Sequence, residues 1–389
     1  TVQKFLDWLE RVLTPLAKVI GENKYLVAIR DGFLLSTPLL IVGSVFLLIA
    51  NFPLPQWDTW MSHLLGKDWA TMMSVPASAS FDVMTILAVV GIAYSLGKQF
   101  NVDAMQAGII ALVSFFIVTP YQTLFTPENS SKVYEVTSLP LKWMGSSGLF
   151  LGMIVALIAT RLFVAIVRKG WTIKMPEGVP PTVVKSFEAL IPSFLVVTLM
   201  FLVNWLAALT SYGNLQDVIF EFLQTPLLSL GNTLGAMSIA YLFLHFFWFF
   251  GINGGSVVGA VFNPVLRALS VENLQAFKDG HEIPNIITGQ FQDMFATFGG
   301  AGSTLSLIIV MVLFCKSQRI KKLSQLSLIP GVFGINEPII FGLPIVLNPI
   351  LLIPFVLVPA INIIIAYFAM DWGLVPLTNG IQLPWTKIG

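Results

Sequence analysis

The sequence predicts an all-α protein that crosses a membrane several times. Of its 389 residues, 56% are hydrophobic and only 11% are charged, whereas about 25% are charged in a typical soluble domain. The mean hydropathy is +0.83. Apolar runs recur along the chain, each close to the roughly 20 residues that a helix needs to cross a bilayer. They lie near 32–51, 83–98, 104–120, 148–167, 192–210, 233–252 and 349–368. A water-soluble fold is therefore not predicted.

Two amphipathic stretches accompany these runs. Over Val2–Ile20, apolar residues recur at helical spacing opposite charged ones. This predicts either a helix at the membrane interface or a surface helix packed on protein. Because charges interrupt the apolar residues here, a cleavable signal peptide is not predicted. Between 215 and 228 a second apolar stripe, with Asp217 and Glu221 facing away from it, predicts another interfacial helix.

Two further apolar stretches, 253–270 and 323–348, are interrupted by glycine, proline and asparagine. Broken backbone at membrane depth is tolerated only where protein buries it or water lines it. We therefore expect two re-entrant hairpins beside a cavity, as transporters have at their substrate sites. Ordinary surface loops are the alternative, although such loops would be less apolar.

The distribution of lysine and arginine predicts the orientation, because cytoplasmic loops carry the excess of positive charge. Residues Lys4, Arg11, Lys18, Lys24 and Arg30 precede the first span, whereas the 52–79 loop holds only Lys67. The N-terminus is therefore predicted to be cytoplasmic. We expect two halves: 1–212, with regular spans that suit a scaffold, and 213–389, which holds both broken stretches and most intramembrane polar residues.

Glu337 is the main candidate for chemistry, since it lies within the second broken apolar stretch. A charge in hydrocarbon costs about 2.5–3.5 kcal/mol on insertion scales, so such residues usually face a cavity or a partner. A carboxylate there can accept hydrogen bonds from sugar hydroxyls, or the proton of a hydroxyl that attacks a phosphoryl group. Asn336 adds a donor and an acceptor. Alternatively, Glu337 only caps free backbone amides of the hairpin.

The run from Gly334 to Pro344, GINEPIIFGLP, followed by Asn348 and Pro349, resembles a family signature. It is similar to the hairpin of membrane (IIC) subunits in the lactose, cellobiose and diacetylchitobiose branch of the phosphotransferase system. Weaker matches at AIRDGF from Ala28 and WFFGI from Trp248 extend the resemblance over nearly the whole chain. The resemblance implies about ten transmembrane helices, two re-entrant hairpins in the C-terminal half and a homodimer formed through the N-terminal halves.

The resemblance also implies a sugar permease of the bacterial cytoplasmic membrane. Members bind a disaccharide from outside, move it by an elevator-like shift and present its C6 hydroxyl to a phosphorylated cytoplasmic IIB protein. The expected partners are a β-linked disaccharide of the cellobiose, diacetylchitobiose or lactose type, IIB with IIA upstream, the lipid bilayer and a second copy of the chain. No nucleic acid, metal or cofactor is expected. The family usually continues into another span where this sequence ends at Gly389, so we expect that last span to be absent here.

Since IIB proteins carry the phosphoryl group on a cysteine, the single cysteine of this chain needs an assignment. Cys315 ends an apolar run beside Lys316, and the chain has no hydrophilic domain to serve as IIB. We predict that Cys315 is a packing residue rather than a phosphoryl carrier.

Asn253 stands where many family members have a histidine near the reacting sugar hydroxyl. An asparagine side chain forms hydrogen bonds but does not shuttle a proton near neutral pH. Glu337 then remains the candidate for the base and is also expected to bind the sugar. Asn253 is expected to bind the sugar only. His245, eight residues earlier, is either a substitute for the missing histidine or a core residue hydrogen-bonded to a neighbouring helix.

The remaining candidates are two tryptophans, a threonine and two glycines. Trp248 and Trp385 are candidates for stacking on a sugar ring, although tryptophans in membrane proteins commonly anchor at the interface. Thr297 stands where the family often has asparagine. Gly299 and Gly300 allow the backbone to approach a substrate, or allow tight helix packing. The rival function is a secondary transporter driven by a proton or sodium gradient, with Glu337 as the coupling carboxylate.

Overall fold

The computed structural model describes residues 22–381 except 51, 53, 128–131, 250–253, 333, 335, 344, 346 and 347, together with Lys4, Asp7, Trp8, Arg11, Pro15, Lys18 and Val19. The chain folds as two compact units: Val27–Leu227, and Leu228–Gly389 together with Thr1–Leu26. The boundary predicted at 212/213 therefore falls within the first unit. The interfacial helix expected over Val2–Ile20 lies largely outside the described residues.

The first unit consists of helices and one short β-hairpin. Its helices are α1 Lys24–Ala50, α2 Trp57–Leu65, α3 Trp69–Phe81, α4 Met84–Gln99, α5 Ala104–Ile117, α6 Leu141–Met144, α7 Leu149–Arg168, α8 Pro181–Glu188, α9 Leu190–Ala208 and α10 Leu215–Ile219. Strands β1 Gln122–Phe125 and β2 Tyr134–Thr137 pair antiparallel, with Gln122 opposite Thr137. Helices α4, α5 and α7 pack against one another, and α9 packs on α5.

Small residues allow a close crossing in this unit, where α1 passes α4. A Cβ atom added to Gly91 would lie 2.7 Å from the carbonyl oxygen of Gly32. Any side chain at either position would separate the two helices, as is general for small residues in membrane helix contacts.

The C-terminal unit contains the more irregular backbone. One π-helical turn, Gln292–Ala296, follows α14 in this unit. Another, Phe220–Gln224, lies in the first unit and joins α10 to α11 Thr225–Gly231, which crosses the boundary between the units. The other helices are α12 Leu234–Phe249, α13 Gly254–Lys278, α14 Gly289–Phe291, α15 Thr304–Phe314, α16 Gln318–Val332, α17 Glu337–Gly342 and α18 Pro349–Asp371. Helix α12 packs on α13 and α18, and α16 packs on α15 and α17.

Each of the seven apolar runs predicted as spans contains a helix, namely α1, α4, α5, α7, α9, α12 and α18. Within the described residues, five helices are long and apolar enough to cross a membrane. A sixth is added if the pair Leu215–Gly231 and Leu234–Trp248, bent by 75°, counts as one span. The protein is thus an α-helical membrane protein, while the count of about ten spans is not confirmed.

The two broken stretches differ from each other. Most of 253–270 lies in α13, which continues through Pro264, so the hairpin expected within this stretch is not observed. One lost backbone bond at Pro264 costs less than unwinding the helix in apolar surroundings, where every backbone group needs a partner. In 323–348, by contrast, α16 and α17 do fold against each other, with Gly342 beside Leu323. That this hairpin is re-entrant stays a prediction.

The helix predicted at the interface between 215 and 228 buries polar residues. Gln216 donates to Thr119 Oγ1 at 2.8 Å, and Gln224 donates to the carbonyl oxygen of Ser146 at 2.8 Å. Phe222, from the apolar stripe, is 67% exposed. The exposed apolar side suits an interfacial position, which stays a prediction.

Candidate functional site

A cavity of about 280 Å³ lies inside the C-terminal unit. This is close to the lower end of the roughly 300–1,000 Å³ that pockets for small ligands occupy. Both apolar and polar side chains line it, including Leu244, Trp248, Gly255, Asn263, Gln292, Asp293, Thr297, Phe298, Gly299, Gly300, Ala301, Val332, Gly334 and Asn336. A larger cavity of about 670 Å³ between α12 and α13 is lined almost wholly by apolar residues, so it offers a polar ligand few hydrogen bonds.

Residues Gly299–Ser303 are here called the glycine loop, and Gly299, Gly300 and Ala301 of this loop line the smaller cavity. Gly299, Gly300 and Gly302 have φ angles of 72°, 84° and 71°, and Ser303 has 51°. Such angles are readily adopted by glycine and disfavoured by residues with a Cβ atom. A Cβ atom on Gly300 would lie 2.9 Å from Cγ of Asn336, and one on Gly302 would lie 2.1 Å from Cδ2 of Phe355. The sequence Gly-Gly-Ala-Gly-Ser is therefore required here both for backbone conformation and for space.

His245 holds the glycine loop from α12. It is only 1% exposed, and its Nε2 accepts a hydrogen bond from the backbone N–H of Gly302 at 2.9 Å. Its Nδ1 lies 2.7 Å from the carbonyl oxygen of Tyr241. Since the N–H of Gly302 can only donate, Nε2 carries no proton and Nδ1–H donates to Tyr241. The imidazole is thus neutral and held at both nitrogens, and it is not among the residues lining the cavity.

Two asparagines hold the same loop. The Nδ2 atom of Asn336 donates to the carbonyl oxygen of Ala301 at 2.6 Å, and Asn362 Nδ2 donates to Ser303 Oγ at 3.0 Å. Asn336 is 4% exposed. Its amide therefore joins the start of α17 to the glycine loop, while the residue also lines the cavity. Strained backbone at a pocket persists only where the surroundings fix it in this way.

The cavity brings together five of the predicted site residues: Trp248, Thr297, Gly299, Gly300 and Asn336. The hydroxyl of Thr297 donates to the carbonyl oxygen of Gln292 at 3.1 Å, so it stabilises the turn as well.

The other four predicted site residues are not seen in the cavity wall. His245 is buried, and its hydrogen bonds go to the glycine loop and to its own helix rather than to a neighbouring helix. Asn253 and Trp385 lie outside the described residues. Glu337 is described only in its backbone, which begins α17 directly after Asn336.

Three polar residues in the cavity wall were not predicted from the sequence: Asn263, Gln292 and Asp293. Asp293 lies in the π-helical turn, and its charge is near enough to Arg267 for an electrostatic interaction between them. The signal in the sequence was an acidic residue within an apolar segment, Gly289–Phe314, that is long enough to span. A π-helical turn is itself a frequent feature of functional sites.

The segment Thr378–Gly380, just before Trp385, is hydrogen-bonded to α13 and α14. Asn273 Nδ2 donates to the carbonyl oxygen of Thr378 at 2.8 Å, and the N–H of Gly380 donates to Gln290 Oε1 at 2.8 Å. These bonds fix the segment from which the chain continues towards Trp385.

Cys315 is partly buried and packs against the apolar core of the C-terminal unit, as predicted for a packing residue.

Residues 30–359 match the family model described as "Phosphotransferase system, EIIC". The cellobiose-specific EIIC component of Geobacillus stearothermophilus is 39% identical over 388 residues, which cover 99% of this chain and 86% of that protein. The crystal structure of the transporter ChbC, the IIC component from the N,N'-diacetylchitobiose-specific phosphotransferase system, has a TM-score of 0.95 at 43% identity, covering 98% of this chain and 88% of that one. The lactose-specific EIICB component of Staphylococcus epidermidis is 30% identical, and the match covers 100% of this chain and 65% of that longer protein.

Proposed function

Since the chain belongs to the EIIC family of phosphotransferase-system membrane components, we propose that it carries a β-linked disaccharide across the bacterial cytoplasmic membrane and presents its C6 hydroxyl for phosphorylation. The names of its relatives support this class of sugar: one is specific for cellobiose and another for N,N'-diacetylchitobiose. The choice among cellobiose, diacetylchitobiose and lactose types is the part of the proposal that a binding panel must decide.

The observation that carries the proposal is the convergence of polar groups on one cavity. Asn336, from the segment that resembles the family hairpin, meets the glycine loop and the ring of Trp248 around the same space. Sugars need donors and acceptors for their hydroxyls and an apolar surface for their C–H faces. Asn263, Gln292 and Asp293 supply further polar groups, and Trp248 supplies an aromatic one.

Glu337 is the proposed acceptor of the sugar proton. Its backbone follows that of Asn336, which lines the cavity. In the proposed step the C6 oxygen attacks the phosphorus carried by the IIB cysteine, an O–P bond forms and the S–P bond breaks. The proton of the C6 hydroxyl passes to the Glu337 carboxylate. His245 is not available for this role, because Nε2 accepts from Gly302 and Nδ1 is bonded to Tyr241.

The remaining parts of the proposal concern partners and movement. A lactose-specific relative is an EIICB protein, which supports a IIB partner for this chain, with IIA upstream. We assign 213–389 to substrate transport by an elevator-like shift and 1–212 to the scaffold that forms a homodimer. The excess of lysine and arginine before the first span supports a cytoplasmic N-terminus.

The deciding experiment uses vesicles that contain the purified protein. Cellobiose, diacetylchitobiose and lactose are each supplied outside, with phosphorylated IIB sealed inside. We expect the phosphorylated form of at least one sugar to accumulate. Unphosphorylated IIB is the matched control, and it should give none.

Two further measurements test the mode of transport and the chemical role of Glu337 separately. Accumulation of free sugar on a proton or sodium gradient, without IIB, would identify a secondary transporter instead. The variant Glu337→Gln should keep measurable sugar binding and lose phosphorylation. Unchanged phosphorylation in that variant would remove Glu337 from the chemical step and leave the transport assignment intact.

A further inference from the structure

The C-terminal half of α7, far in sequence from the sugar site, carries two exposed arginines. Arg161 and Arg168 are seven residues apart, which places them on the same face of the helix two turns from each other. Arg161 lies inside Ser146–Arg168, one of the helices long and apolar enough to cross a membrane. An exposed charge in such a segment is costly unless it reaches the interface or meets an opposite charge.

Both guanidinium groups lie over the ring of Phe100, which directly follows α4. The distance from Cζ to the ring centre is 5.4 Å for Arg161 and 5.2 Å for Arg168. Arg168 also donates to the carbonyl oxygen of Phe100 at 3.2 Å. The shared ring therefore brings the two positive charges close together and draws the Arg161 side chain to the level of the end of the span.

These two like charges have no acidic partner in the part of the chain that the structure describes. Neither arginine forms an ion pair within 4.0 Å there, whereas Lys185 pairs with Asp103. Asp103 is only three residues from Phe100, but its carboxylate is engaged by Lys185 at 3.0 Å and by the N–H of Gln106 at 3.1 Å. The repulsion between the arginines is thus relieved best by an anion from outside the chain.

We propose that Arg161, Arg168 and Phe100 bind the phosphate of an anionic phospholipid such as phosphatidylglycerol. Guanidinium groups match phosphate oxygens in geometry, and clusters of basic residues at the membrane surface attract anionic lipids. Ile158, one turn further into the span from Arg161, is 46% exposed. It offers an acyl chain an apolar contact just below the phosphate, which a free anion does not need.

The test measures lipid binding to the purified full chain by native mass spectrometry, with phosphatidylglycerol and phosphatidylcholine supplied in equal amounts. We expect the wild type to retain phosphatidylglycerol preferentially, and the double variant Arg161→Gln/Arg168→Gln to bind it about tenfold more weakly. Phosphatidylcholine binding should not change. Equal retention of phosphatidylglycerol by the wild type and the double variant would overturn the proposal.

Lys142→Gln is the matched control, because Lys142 precedes α7 at its other end and also lies over aromatic rings. Its Nζ is 4.3 Å from the centre of the Trp143 ring and 5.6 Å from that of Phe220. This variant should retain phosphatidylglycerol like the wild type, and an equal loss in it would mean that any positive charge suffices. Sugar binding measured on each variant confirms that it is folded. If the double variant does not fold, each single variant is expected to show a partial loss, and no loss in either contradicts the site.

Two other results would also contradict the lipid assignment. Complete displacement of phosphatidylglycerol by millimolar inorganic phosphate would mean that the arginines bind a free anion. A change of oligomeric state in the double variant, without a change in lipid retention, would mean that this face contacts a second copy of the chain.

Discussion

Buried polar side chains have two uses that can be compared between the two compact units. In Val27–Leu227 the buried hydroxyls of Ser80 and Ser114 donate to carbonyl oxygens four residues earlier in their own helices, although Thr85 and Gln216 bond across 60 and 97 residues. In the C-terminal unit His245, Asn336 and Asn273 bond to backbone groups 57, 35 and 105 residues away. The first pattern leaves regular helices as they are, whereas the second fixes backbone that is not regular.

This difference predicts which polar side chains can be substituted without loss of structure. A helical carbonyl that loses a serine hydroxyl keeps its own backbone hydrogen bond, so little changes. The N–H of Gly302 and the carbonyl oxygen of Ala301 lie in a loop with positive φ angles and depend on a distant side chain. Removing that side chain leaves a backbone group unpaired and frees the wall of the cavity to move.

The largest effect is expected from substituting glycines that have equal φ angles in the two units. Gly302 and Gly170 both have φ of 71°, but a Cβ atom at Gly302 would meet Phe355 at 2.1 Å, whereas nothing lies within 4 Å of one at Gly170. Holding an alanine at this positive φ costs about 1–2 kcal/mol in either variant. In Gly302→Ala the clash with Phe355 adds about 1–3 kcal/mol. We expect Gly302→Ala to lower the unfolding temperature more than Gly170→Ala and to weaken sugar binding at least about tenfold.

Thermal unfolding and sugar titration of both variants check this expectation. Gly170→Ala is the matched control, since it introduces the same backbone strain without the clash, and its sugar affinity should equal that of the wild type. Wild-type sugar binding in Gly302→Ala would show that the glycine loop does not shape the site.

A smaller effect is expected from His245→Leu. The variant leaves the N–H of Gly302 without its acceptor, at a cost of about 1–3 kcal/mol if that group stays unpaired. Because His245 does not line the cavity, a loss of sugar affinity in this variant reports on the position of the loop rather than on a lost sugar contact. His245→Gln, whose amide oxygen can accept the same bond, should recover part of the affinity.

Ser114→Ala provides the comparison in the other unit. Its hydroxyl bonds to the carbonyl oxygen of Ile110 at 2.7 Å within one helix, so we expect a loss of less than about 1 kcal/mol and no change in sugar affinity. Sugar titration of Ser114→Ala and His245→Leu measures the difference between the two variants. Equal affinities for the wild type and His245→Leu would refute the positioning role of His245.

The sequence was sufficient for the regular half of the fold and insufficient for the irregular half. Apolar runs of the right length located α4, α7 and α18 because a spanning helix needs little beyond length and hydropathy. The proline and glycines of 253–270 suggested a break, yet α13 continues through Pro264. Periodicity and breaker residues do not reveal whether neighbouring helices will support a proline-containing helix.

The same limit applies to the site. Trp248, Thr297, Gly299, Gly300 and Asn336 were predicted and do line one cavity. Asp293 was missed, although a carboxylate in an apolar segment is the same signal that singled out Glu337. The roles of His245 and Asn336 in holding the loop were also missed, since a contact across 57 or 35 residues leaves no trace in local spacing.

The smallest effect is expected at the surface of the first unit, for Asp103→Asn. The N–H of Gln106 and, more weakly, Lys185 hold the pKa of Asp103 below its ordinary value of 3.8, although partial burial opposes them. The charged carboxylate therefore stabilises the fold above that pH, and this contribution is lost as the pH falls through the lowered pKa. Asparagine retains the helix cap but loses the negative charge that strengthens the cap bond and pairs with the largely exposed Lys185, so the variant should lose about 1 kcal/mol or less at neutral pH. Unfolding temperatures of wild type and variant should converge in acid, and a difference that persists unchanged there would mean that the carboxylate charge is not its source.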